Sequence, residues 1–581
     1  MEERFWHRNY DPKVPASLEY PKVPLQRFLD DAAAKFPDRV AITFLGKPIT
    51  YGRLLQSCNA FARGLMELGV RKGDRVALYL PNVPHIVIGY YGAFKAGAIC
   101  VPTNPLYTER ELSYQVKDSG AKVLVTLDLD LTLSKVKAVK DSAGIEKVIV
   151  GRVSDYLPFP KSLLYPVVKR KDLTEVPAES AYVHFRDLAG TEGASPPEVA
   201  VDAKDPAVLM YTGGTTGVSK GAVLTHANLV ANTRHFACWI TAGEMNDTPQ
   251  DSVMAVLPLF HSFGMTVCMN TSIMMAGRLI LFPTRPKPDA SDLLEMVRDE
   301  QPGYLPGVPA LYTAMANNPR AREYKVDCIK GCMSGAAPLP VEVLQKFEAI
   351  TGGKIFEGYG LSETSPVATA NPRLGLRKAG SVGLPFIDTD IRIVDQNNGE
   401  SDVPVGGTGE ILIKGPQVMK GYWNRPEETR AALRGGWFYT GDIGRMDEDG
   451  YVFIVDRKKD MIITGGFNVY PRDVEEVLYE HPKVLEAGVI GVPDERSGER
   501  VKAFVVLKEG QTATPEEIIA FCKTKLTPYK VPKWVELRPE LPKNNVGKLL
   551  RRVLREGERP AGLGTPAGAS PDGARPAPEP R

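Results

Sequence analysis

Apolar runs alternate with helix-like segments along the N-terminal part of the chain, and this alternation constrains the fold more than any other feature. The runs at residues 75–80, 98–102 and 122–126 are separated by helix-like segments at 85–96 and 111–119. Strands that are apolar throughout and joined by single helices predict parallel sheets covered on both faces. The pattern resumes after residue 207, so we expect an α/β fold with two doubly wound sheet subdomains in succession.

The pattern changes further along the chain. From about Gly380, short strands separated by turns predict a small β-barrel-like subdomain. Since 581 residues are too many for one core, we expect a large N-terminal domain at 1–456 and a small α+β domain at 457–556. The tail at 557–581 is rich in Ala, Pro and Gly, which predicts disorder.

Composition argues against several classes of protein. A formal net charge of +2 gives no electrostatic reason to expect nucleic acid as a partner. The seven cysteines are scattered, without a second Cys/His pair at zinc spacing, which argues against structural zinc and fits a reducing compartment. The charged N-terminus lacks the apolar core of a signal peptide, so we expect a cytoplasmic protein.

Two segments raise the question of a membrane. Residues 252–277 contain no Asp, Glu, Lys or Arg and are long enough to span a bilayer, but Pro258 and Asn270 interrupt them. We interpret this segment as a buried strand, a turn and a buried helix. In Lys161–Lys171 apolar residues lie beside a basic cluster, which suits an anionic membrane surface at the inner face. The sequence of this segment favours the alternative to membrane contact, which is a solvated run of charges beside a core segment.

The stretch Tyr211–Lys220 combines three threonines, three glycines and a lysine after an apolar run. Glycines bring backbone N–H groups close to a bound anion, so a strand, this loop and a helix from about Thr225 would form a phosphate cradle. The stretch fits neither Gly-x4-Gly-Lys-Ser/Thr nor Gly-x-Gly-x-x-Gly. An ordinary flexible glycine loop is the alternative.

Further stretches combine glycines with charged groups. Ser334–Pro338 and Glu357–Thr364 are predicted to be glycine turns at the carboxyl edge of a parallel sheet, where ligands bind in such folds. Trp437–Asp442 places a carboxylate after a tight turn, and Leu541–Lys548 ends in a lysine. Taken singly, Asp442 is more typical of a turn cap and Lys548 of a solvated side chain.

Together and in this order, these stretches resemble the adenylate-forming superfamily, which includes acyl-CoA synthetases, peptide-synthetase adenylation domains and luciferases. The resemblance runs over about residues 25–555. Two residues depart from the family's phosphate loop. Family members often have Ser or Thr at the position of Gly213 and usually have Pro at the position of Ser219. Residues 435–475 and the segment around Ser154 are most similar to bacterial long-chain fatty-acid–CoA ligases.

The resemblance implies a role for each site residue. Lys548, Glu363 and Thr212 are implied to be catalytic, with Thr212 and Glu363 as Mg²⁺ ligands and Lys459 at a hinge. The nucleotide, magnesium and CoA are implied to contact Thr212, Gly213, Gly214, Thr215, Thr216, Gly217, Lys220, Gly335, Ala336, Ala337, Glu357, Gly358, Tyr359, Gly360, Ser362, Asp442, Arg457, Lys459, Gly465 and Gly466. The acyl pocket is implied to involve His261, Ser262, Phe263 and Met265, with a satisfied buried histidine as the alternative for His261.

The implied reaction joins a medium- or long-chain fatty acid to CoA. The carboxylate attacks the α-phosphate of ATP, pyrophosphate leaves, and a thiol then displaces AMP from the acyl-adenylate. Aryl or medium-chain acids, transfer to a carrier protein, a non-catalytic acyl-binding relative and a luciferase-like oxygenase are the alternatives. The expected partners are the fatty acid, ATP and CoA, with Mg²⁺ as cofactor. The sequence leaves monomer and homodimer open.

Overall fold

A computed structural model gives the structure of residues 4–190, 195, 198–212, 219–244, 252–283, 290–337, 339–396, 398–464, 467–494, 496–543 and 549–558. Contacts divide this part of the chain between Lys459 and Asp460 into two units, which we call the large unit and the small unit. The large unit ends at Lys459. The small unit comprises 460–543 and the residues from Leu549 onward.

The strands of the large unit are followed by those of the small unit, which begin at β22. They are β1 (Val40–Phe44), β2 (Lys47–Thr50), β3 (Arg75–Tyr79), β4 (Ile99–Thr103), β5 (Val123–Leu127), β6 (Lys147–Gly151), β7 (Tyr182–His184), β8 (Pro206–Thr212), β9 (Lys220–Thr225), β10 (Val253–Ala255), β11 (Leu279–Leu281), β12 (Gly331–Ser334), β13 (Lys354–Gly360), β14 (Val367–Ala370), β15 (Leu384–Pro385), β16 (Asp390–Val394), β17 (Gly409–Lys414), β18 (Gly421–Tyr422), β19 (Leu433–Arg434), β20 (Trp437–Met446), β21 (Val452–Arg457), β22 (Ile462–Thr464), β23 (Phe467–Val469), β24 (Val484–Asp494), β25 (Gly498–Leu507) and β26 (Trp534–Leu537).

The α-helices of the large unit run to α13, and those of the small unit follow. They are α1 (Arg27–Lys35), α2 (Tyr51–Glu67), α3 (Pro84–Lys95), α4 (Glu109–Ser119), α5 (Lys135–Ala143), α6 (Lys161–Val168), α7 (Phe185–Ala189), α8 (His226–Ile240), α9 (Thr271–Met274), α10 (Ala290–Glu300), α11 (Pro309–Asn317), α12 (Val341–Thr351), α13 (Pro426–Ala432), α14 (Pro471–Tyr479), α15 (Pro515–Lys523) and α16 (Arg551–Glu556). Short 3₁₀ segments lie at Phe5–Asn9, Val153–Tyr156, Arg170–Asp172, Ala321–Tyr324, Val326–Cys328 and Ser362–Thr364, and π-helical turns at Asp130–Ser134 and Gly264–Asn270.

An eight-stranded sheet in the large unit has the strand order β18-β9-β8-β4-β3-β5-β6-β7. Strands β3 to β7 and the β4–β8 pair are parallel, as the alternation of apolar runs and helices predicts. Strands β4 and β5 are buried at every residue, which is typical of a sheet covered on both faces. Helix α3 is buried along its whole length, which explains its continuous apolar sequence.

A second set of strands follows the same principle. Strands β10, β11 and β1 are parallel, as are β12 and β13, and antiparallel strands complete the edges. Strands β16, β17, β19, β20 and β21 form an antiparallel sheet in the region that was expected to be rich in β-structure. The α/β fold predicted from the sequence is therefore confirmed.

The small unit contains one mixed sheet, in which β24 and β25 form a long antiparallel pair. Helices α14 and α15 contribute Val474, Leu478 and Ile518 to a core shared with this sheet. The unit is thus α+β, as expected. The predicted disordered tail lies outside the described residues, apart from Gly557 and Glu558.

The uncharged segment at 252–277 is a buried strand, a π-helical turn and a short helix, as the sequence predicts. Every residue of the π-helical turn Gly264–Asn270 is buried. Within the described ranges, no helix has both the length and the apolar character needed to cross a membrane.

Candidate active site

Strands β8 and β9 form an antiparallel hairpin whose last pair is Thr212 and Lys220. The residues between them that were assigned to the phosphate loop, Gly213–Gly217, lie outside the described residues. The expected strand–loop–helix arrangement is wrong, because β9 comes between the loop and helix α8. Ala222, Val223 and Leu224 are buried in the sheet, and this burial extends the strand to Thr225, which caps α8. Helix α8 therefore does not directly follow this loop in the chain.

A polar cluster around Asp118 holds both ends of the hairpin loop. Tyr211 donates its hydroxyl hydrogen to Asp118 Oδ2 at 2.7 Å, and Arg425 pairs with Asp118 Oδ1. At the other end of the loop, Tyr114 donates to the carbonyl of Ser219 at 2.8 Å. Helix α4 supplies Tyr114 and Asp118, so one helix positions both ends of the loop.

A second contact set joins Lys220 to Glu363 through Tyr422. The Tyr422 hydroxyl donates to Glu363 Oε1 at 2.8 Å, and Lys220 Nζ lies 5.5 Å from the centre of the Tyr422 ring. Strand β18 positions Tyr422 by pairing with β9, opposite Ala222. Burial raises the pKa of Glu363 above its usual value, while the Tyr422 hydrogen bond acts in the opposite direction. One aromatic side chain therefore contacts both the lysine that ends the loop and a buried carboxylate.

Asp442 and Arg457 lie opposite each other on the antiparallel pair β20–β21. Arg457 Nε lies 2.6 Å from Asp442 Oδ1, and the Tyr359 hydroxyl donates to Asp442 Oδ2 at 2.6 Å. Asp442 is nearly fully buried, with its carboxylate held from both sides. It lies inside a strand rather than after a turn, although Gly441 before it adopts φ +70°. A carboxylate offers about four acceptor positions, so this one retains capacity for ligand hydroxyls.

The two glycine stretches assigned to adenine differ in structure. Gly335, Ala336 and Ala337 follow β12 in a turn, as expected, and Ala336 adopts φ +67°. Glu357–Gly360 form the end of strand β13, so their assignment as a turn after a strand is wrong. The strand continues because β13 pairs with β12 as far as Glu357 and with β14 from Gly358 onward.

Close packing explains the glycines of this strand. A Cβ atom at Gly360 would lie 1.8 Å from the Pro366 carbonyl oxygen, so a side chain cannot be accommodated there. Glu357 accepts a hydrogen bond from the Leu339 backbone N–H at 3.2 Å, which links β13 to the turn after β12. The residues assigned to adenine therefore lie on neighbouring elements.

The residues assigned to the acyl pocket lie at the start of the π-helical turn. Ser262 and Met265 are fully buried and Phe263 nearly so, whereas His261 is half-buried and is not a core histidine. His261 Nδ1 accepts from the Phe263 N–H at 3.2 Å. The hydroxyl oxygens of Ser262 and Ser362 lie 3.4 Å apart, which places this segment beside the turn that carries Glu363.

The remaining assigned residues lie in the C-terminal part of the sequence. Lys459 is exposed and is the last residue of the large unit. Gly465, Gly466 and Lys548 lie outside the described residues. Their assigned roles rest on the sequence resemblance.

The residues present fit a magnesium ion held jointly with phosphates. Strand β8, which ends at Thr212, and strand β9 both contact the Ser362–Thr364 turn that carries Glu363. The carboxylate and hydroxyl oxygens there are hard ligands, and Mg²⁺ commonly takes one or two such ligands from the protein. A cation would add to the stabilisation that the Tyr422 hydroxyl gives the buried Glu363 carboxylate. Among the described residues, no group of three or more His, Cys, Asp or Glu could hold a metal by itself.

An α/β fold with a threonine- and glycine-rich segment between two paired strands, a buried carboxylate–arginine pair and oxygen groups that fit magnesium is typical of a nucleotide-binding enzyme. Comparison with known proteins is consistent with this class. Residues 29–423 match the family model "AMP-binding enzyme", and residues 473–548 match "AMP-binding enzyme C-terminal domain". The chain belongs to the AMP-binding enzyme family.

Individual relatives cover nearly the whole chain. A long-chain-fatty-acid–CoA ligase of Bacillus subtilis (strain 168) is 47% identical over 95% of this chain and 98% of its own. A feruloyl-CoA synthase of an Amycolatopsis species is 36% identical over 89% and 96%. Among solved structures, ATP-bound MatB from Rhodopseudomonas palustris superimposes with a TM-score of 0.79 at 32% identity, covering 92% of this chain and 99% of that one.

Sequence reasoning missed Asp118, Tyr114, Arg425 and Tyr422. None of them lies in a glycine-rich stretch, and each reaches the site through contacts distant in sequence; Arg425 and Asp118, for example, are separated by 307 positions. The available signal was local: Gly421-Tyr422 is followed by Asn424 and Pro426, which are typical turn residues. This signal does not indicate the partner of the strand.

Proposed function

We propose that this chain is a fatty-acid–CoA ligase that activates a medium- or long-chain fatty acid with ATP and transfers the acyl group to CoA. The observation that carries this proposal is the convergence of Asp442–Arg457, Glu363–Tyr422 and the Thr212–Lys220 hairpin in one unit. The full-length similarity to long-chain-fatty-acid–CoA ligases supports the same reaction and substrate class.

In the first half-reaction, a carboxylate oxygen of the fatty acid attacks the α-phosphorus of ATP. The bond from that phosphorus to the bridging oxygen breaks, and pyrophosphate leaves with the electron pair. Because both reactants are anions, the site must position them and neutralise charge rather than provide a general base. Lys220 and Lys548 are suited to neutralising phosphate charge. A magnesium ion, when bound by Glu363 and Thr212, supplies further charge neutralisation.

The nucleotide is held by groups at fixed positions. We assign the ribose hydroxyls to Asp442 with help from Arg457, since a carboxylate accepts two hydrogen bonds well. The adenine is assigned to the space between the turn at Gly335–Ala337 and the strand Glu357–Gly360, with the Tyr359 ring at its face. Ser362 lies near the magnesium position.

In the second half-reaction, the CoA thiolate attacks the acyl carbonyl carbon, and the bond from this carbon to the phosphate oxygen breaks to release AMP. We assign the 457–556 region to a rotating domain with its hinge at Lys459. In this assignment, Gly465 and Gly466 leave room for the pantetheine chain of CoA, and rotation withdraws Lys548 between the two halves.

The apolar residues Phe263 and Met265 favour a fatty acid as substrate. An aryl acid is the second candidate, because the feruloyl-CoA synthase relative is 36% identical to this chain. A cytoplasmic location with contact at the inner membrane face would give the enzyme access to fatty acids.

The protein is a monomer or a homodimer, and light scattering of the purified protein distinguishes the two.

The test is ATP–pyrophosphate exchange with a panel of acids from about C8 to C18 and with ferulate, repeated with CoA to detect the thioester. We expect exchange and thioester formation with fatty acids, and weak activity with ferulate. Exchange with ferulate alone would support the second candidate. Absence of exchange with every fatty acid in the panel would overturn the proposed substrate.

A further inference from the structure

Helix α6 turns its apolar face toward solvent. Leu163, Leu164, Val167 and Val168 are 67, 54, 73 and 75% exposed, and Phe159 just before the helix is 80% exposed. At about 100° per residue, the four helical side chains fall within one arc of about 140°. None of the eight residues of α6 is buried. The sequence had favoured a core segment here, and the structure shows the opposite orientation.

The helix is held in place by its other face. Tyr165 packs against the main hydrophobic core of the large unit. The first turn is closed by the Ser162 and Leu163 N–H groups, which donate to the carbonyls of Pro158 and Pro160 at 3.0 and 3.1 Å. The exposed side chains therefore belong to a helix that is packed against the large unit. A large exposed apolar patch of this kind marks an interaction site.

Basic residues border the apolar face at both ends. Lys161 begins the helix, and Lys169, Arg170 and Lys171 follow it, all of them exposed. Residues 161–172 contain these four cations and a single carboxylate, Asp172, which pairs with Lys169 at 3.1 Å. The surface thus combines exposed apolar side chains with an excess of positive charge.

We propose that this docking surface, formed by Phe159, the apolar face of α6 and its flanking basic residues, binds an anionic phospholipid bilayer. Apolar side chains enter the boundary between headgroups and acyl chains, and the cations meet the anionic headgroups. A symmetric contact with a second copy is disfavoured, because it would place two like-charged clusters against each other. Docking brings the enzyme to the phase in which long-chain fatty acids concentrate; only this link to substrate rests on the proposed function.

The test is co-sedimentation of the full-length protein with vesicles of phosphatidylcholine, with or without about 30 mole per cent phosphatidylglycerol. ATP, CoA and fatty acid are omitted, so the result does not depend on the enzymatic activity. We expect binding to the anionic vesicles that weakens at high salt. The double variant L163S/V167S, with both changes on the exposed face, should reduce the partition coefficient at least tenfold. The triple variant K169Q/R170Q/K171Q should reduce it by about fivefold for each charge removed.

Two matched variants serve as controls. Val405→Ser changes another exposed valine, with 60% exposure, and should leave binding unchanged. L374S/L376S changes a second exposed apolar pair that also lies beside basic residues, and should likewise leave binding unchanged. All four variants should retain exchange activity with octanoate, which verifies folding.

Three outcomes would overturn the proposal. One is equal vesicle binding by the wild type and L163S/V167S. Another is loss of binding in L374S/L376S alone, which would place the membrane contact elsewhere. The third is a wild-type dimer, seen by light scattering, that dissociates in L163S/V167S, together with a lack of vesicle binding by the wild type and every variant. In that case a second copy of the chain would cover α6.

Discussion

The two sides of the candidate site are built in different ways. On the nucleotide side, Asp442, Glu363 and Lys220 are each held by a specific partner: Arg457, Tyr422 and the Tyr422 ring. On the acyl side, Ser262 and Phe263 directly precede the π-helical turn Gly264–Asn270 and Met265 lies within it, and all three uncharged side chains are buried. One side is defined by directional contacts and the other by shape.

This difference has a functional consequence. Changes on the nucleotide side should alter the reaction with every acid, because they affect groups that we assign to ATP or the metal. Changes on the acyl side should alter the ranking of acids while the constants for ATP stay nearly the same. Four substitutions test this separation.

Asp442→Ala should have the largest effect. Hydrogen bonds to a charged group contribute about 1.5–3 kcal/mol each, so losing two should lower kcat/KM for ATP by about a hundred- to ten-thousandfold. The exchange rate with several acids is the measurement, and all should fall in parallel. Asp449→Ala, at a carboxylate paired with Lys378, is the control and should change little. A loss that depends on the acid would contradict the ribose assignment.

Tyr422→Phe should have the next largest effect. It removes the hydrogen bond to Glu363 but keeps the ring beneath Lys220, so the Mg²⁺ concentration for half-maximal exchange should rise about tenfold or more. The magnesium titration is the readout. Tyr439→Phe removes a hydroxyl that donates to the Gly399 carbonyl and serves as the control. An unchanged magnesium titration would mean that Tyr422 does not position a metal ligand.

Asp118→Asn should weaken the anchoring of the hairpin loop with a smaller effect. The amide keeps the shape but loses the negative charge that Arg425 and Tyr211 contact. We expect KM for pyrophosphate in the exchange reaction to rise about fivefold, with KM for the acid unchanged. Asp141→Asn, at an exposed carboxylate, is the comparison. Equal increases in both constants would indicate a general loss of stability.

His261→Ala should have the smallest effect on rate. The fatty acid is already ionised and needs no base, so kcat should stay within about tenfold of the wild type at every pH. KM for the acid should change by a factor that depends on chain length, while KM for ATP should not change. A loss of about a thousandfold, together with an altered pH profile, would show that His261 transfers a proton.

Local patterns sufficed for much of the fold. The alternation of apolar runs and helices predicted the parallel sheets, and the helix expected at 85–96 is observed at Pro84–Lys95. The uncharged segment at 252–277 was correctly interpreted as buried. In each case the pattern reports burial within a few residues, which is a local property.

The errors arose where distant residues decide the outcome. Strand β9 exists because it pairs with both β8 and β18, and Glu357–Gly360 stay extended because β14 pairs with Gly358 and Tyr359. The exposure of the apolar face of α6 also depends on distant residues, because an apolar arc in the sequence does not indicate which side of the helix faces the core. The contacts of Tyr422 and Asp118 depend on pairs separated in sequence by 59 and 93 or more positions.

The most direct test of the central claim follows oxygen atoms through the reaction. A fatty acid labelled with ¹⁸O in both carboxylate oxygens is converted to acyl-CoA, and the masses of AMP and pyrophosphate are measured by mass spectrometry. If the carboxylate attacks the α-phosphorus and the thiolate then attacks the carbonyl carbon, AMP gains one ¹⁸O atom and pyrophosphate gains none. Label in pyrophosphate or inorganic phosphate, or ADP as the product, would contradict the proposed function.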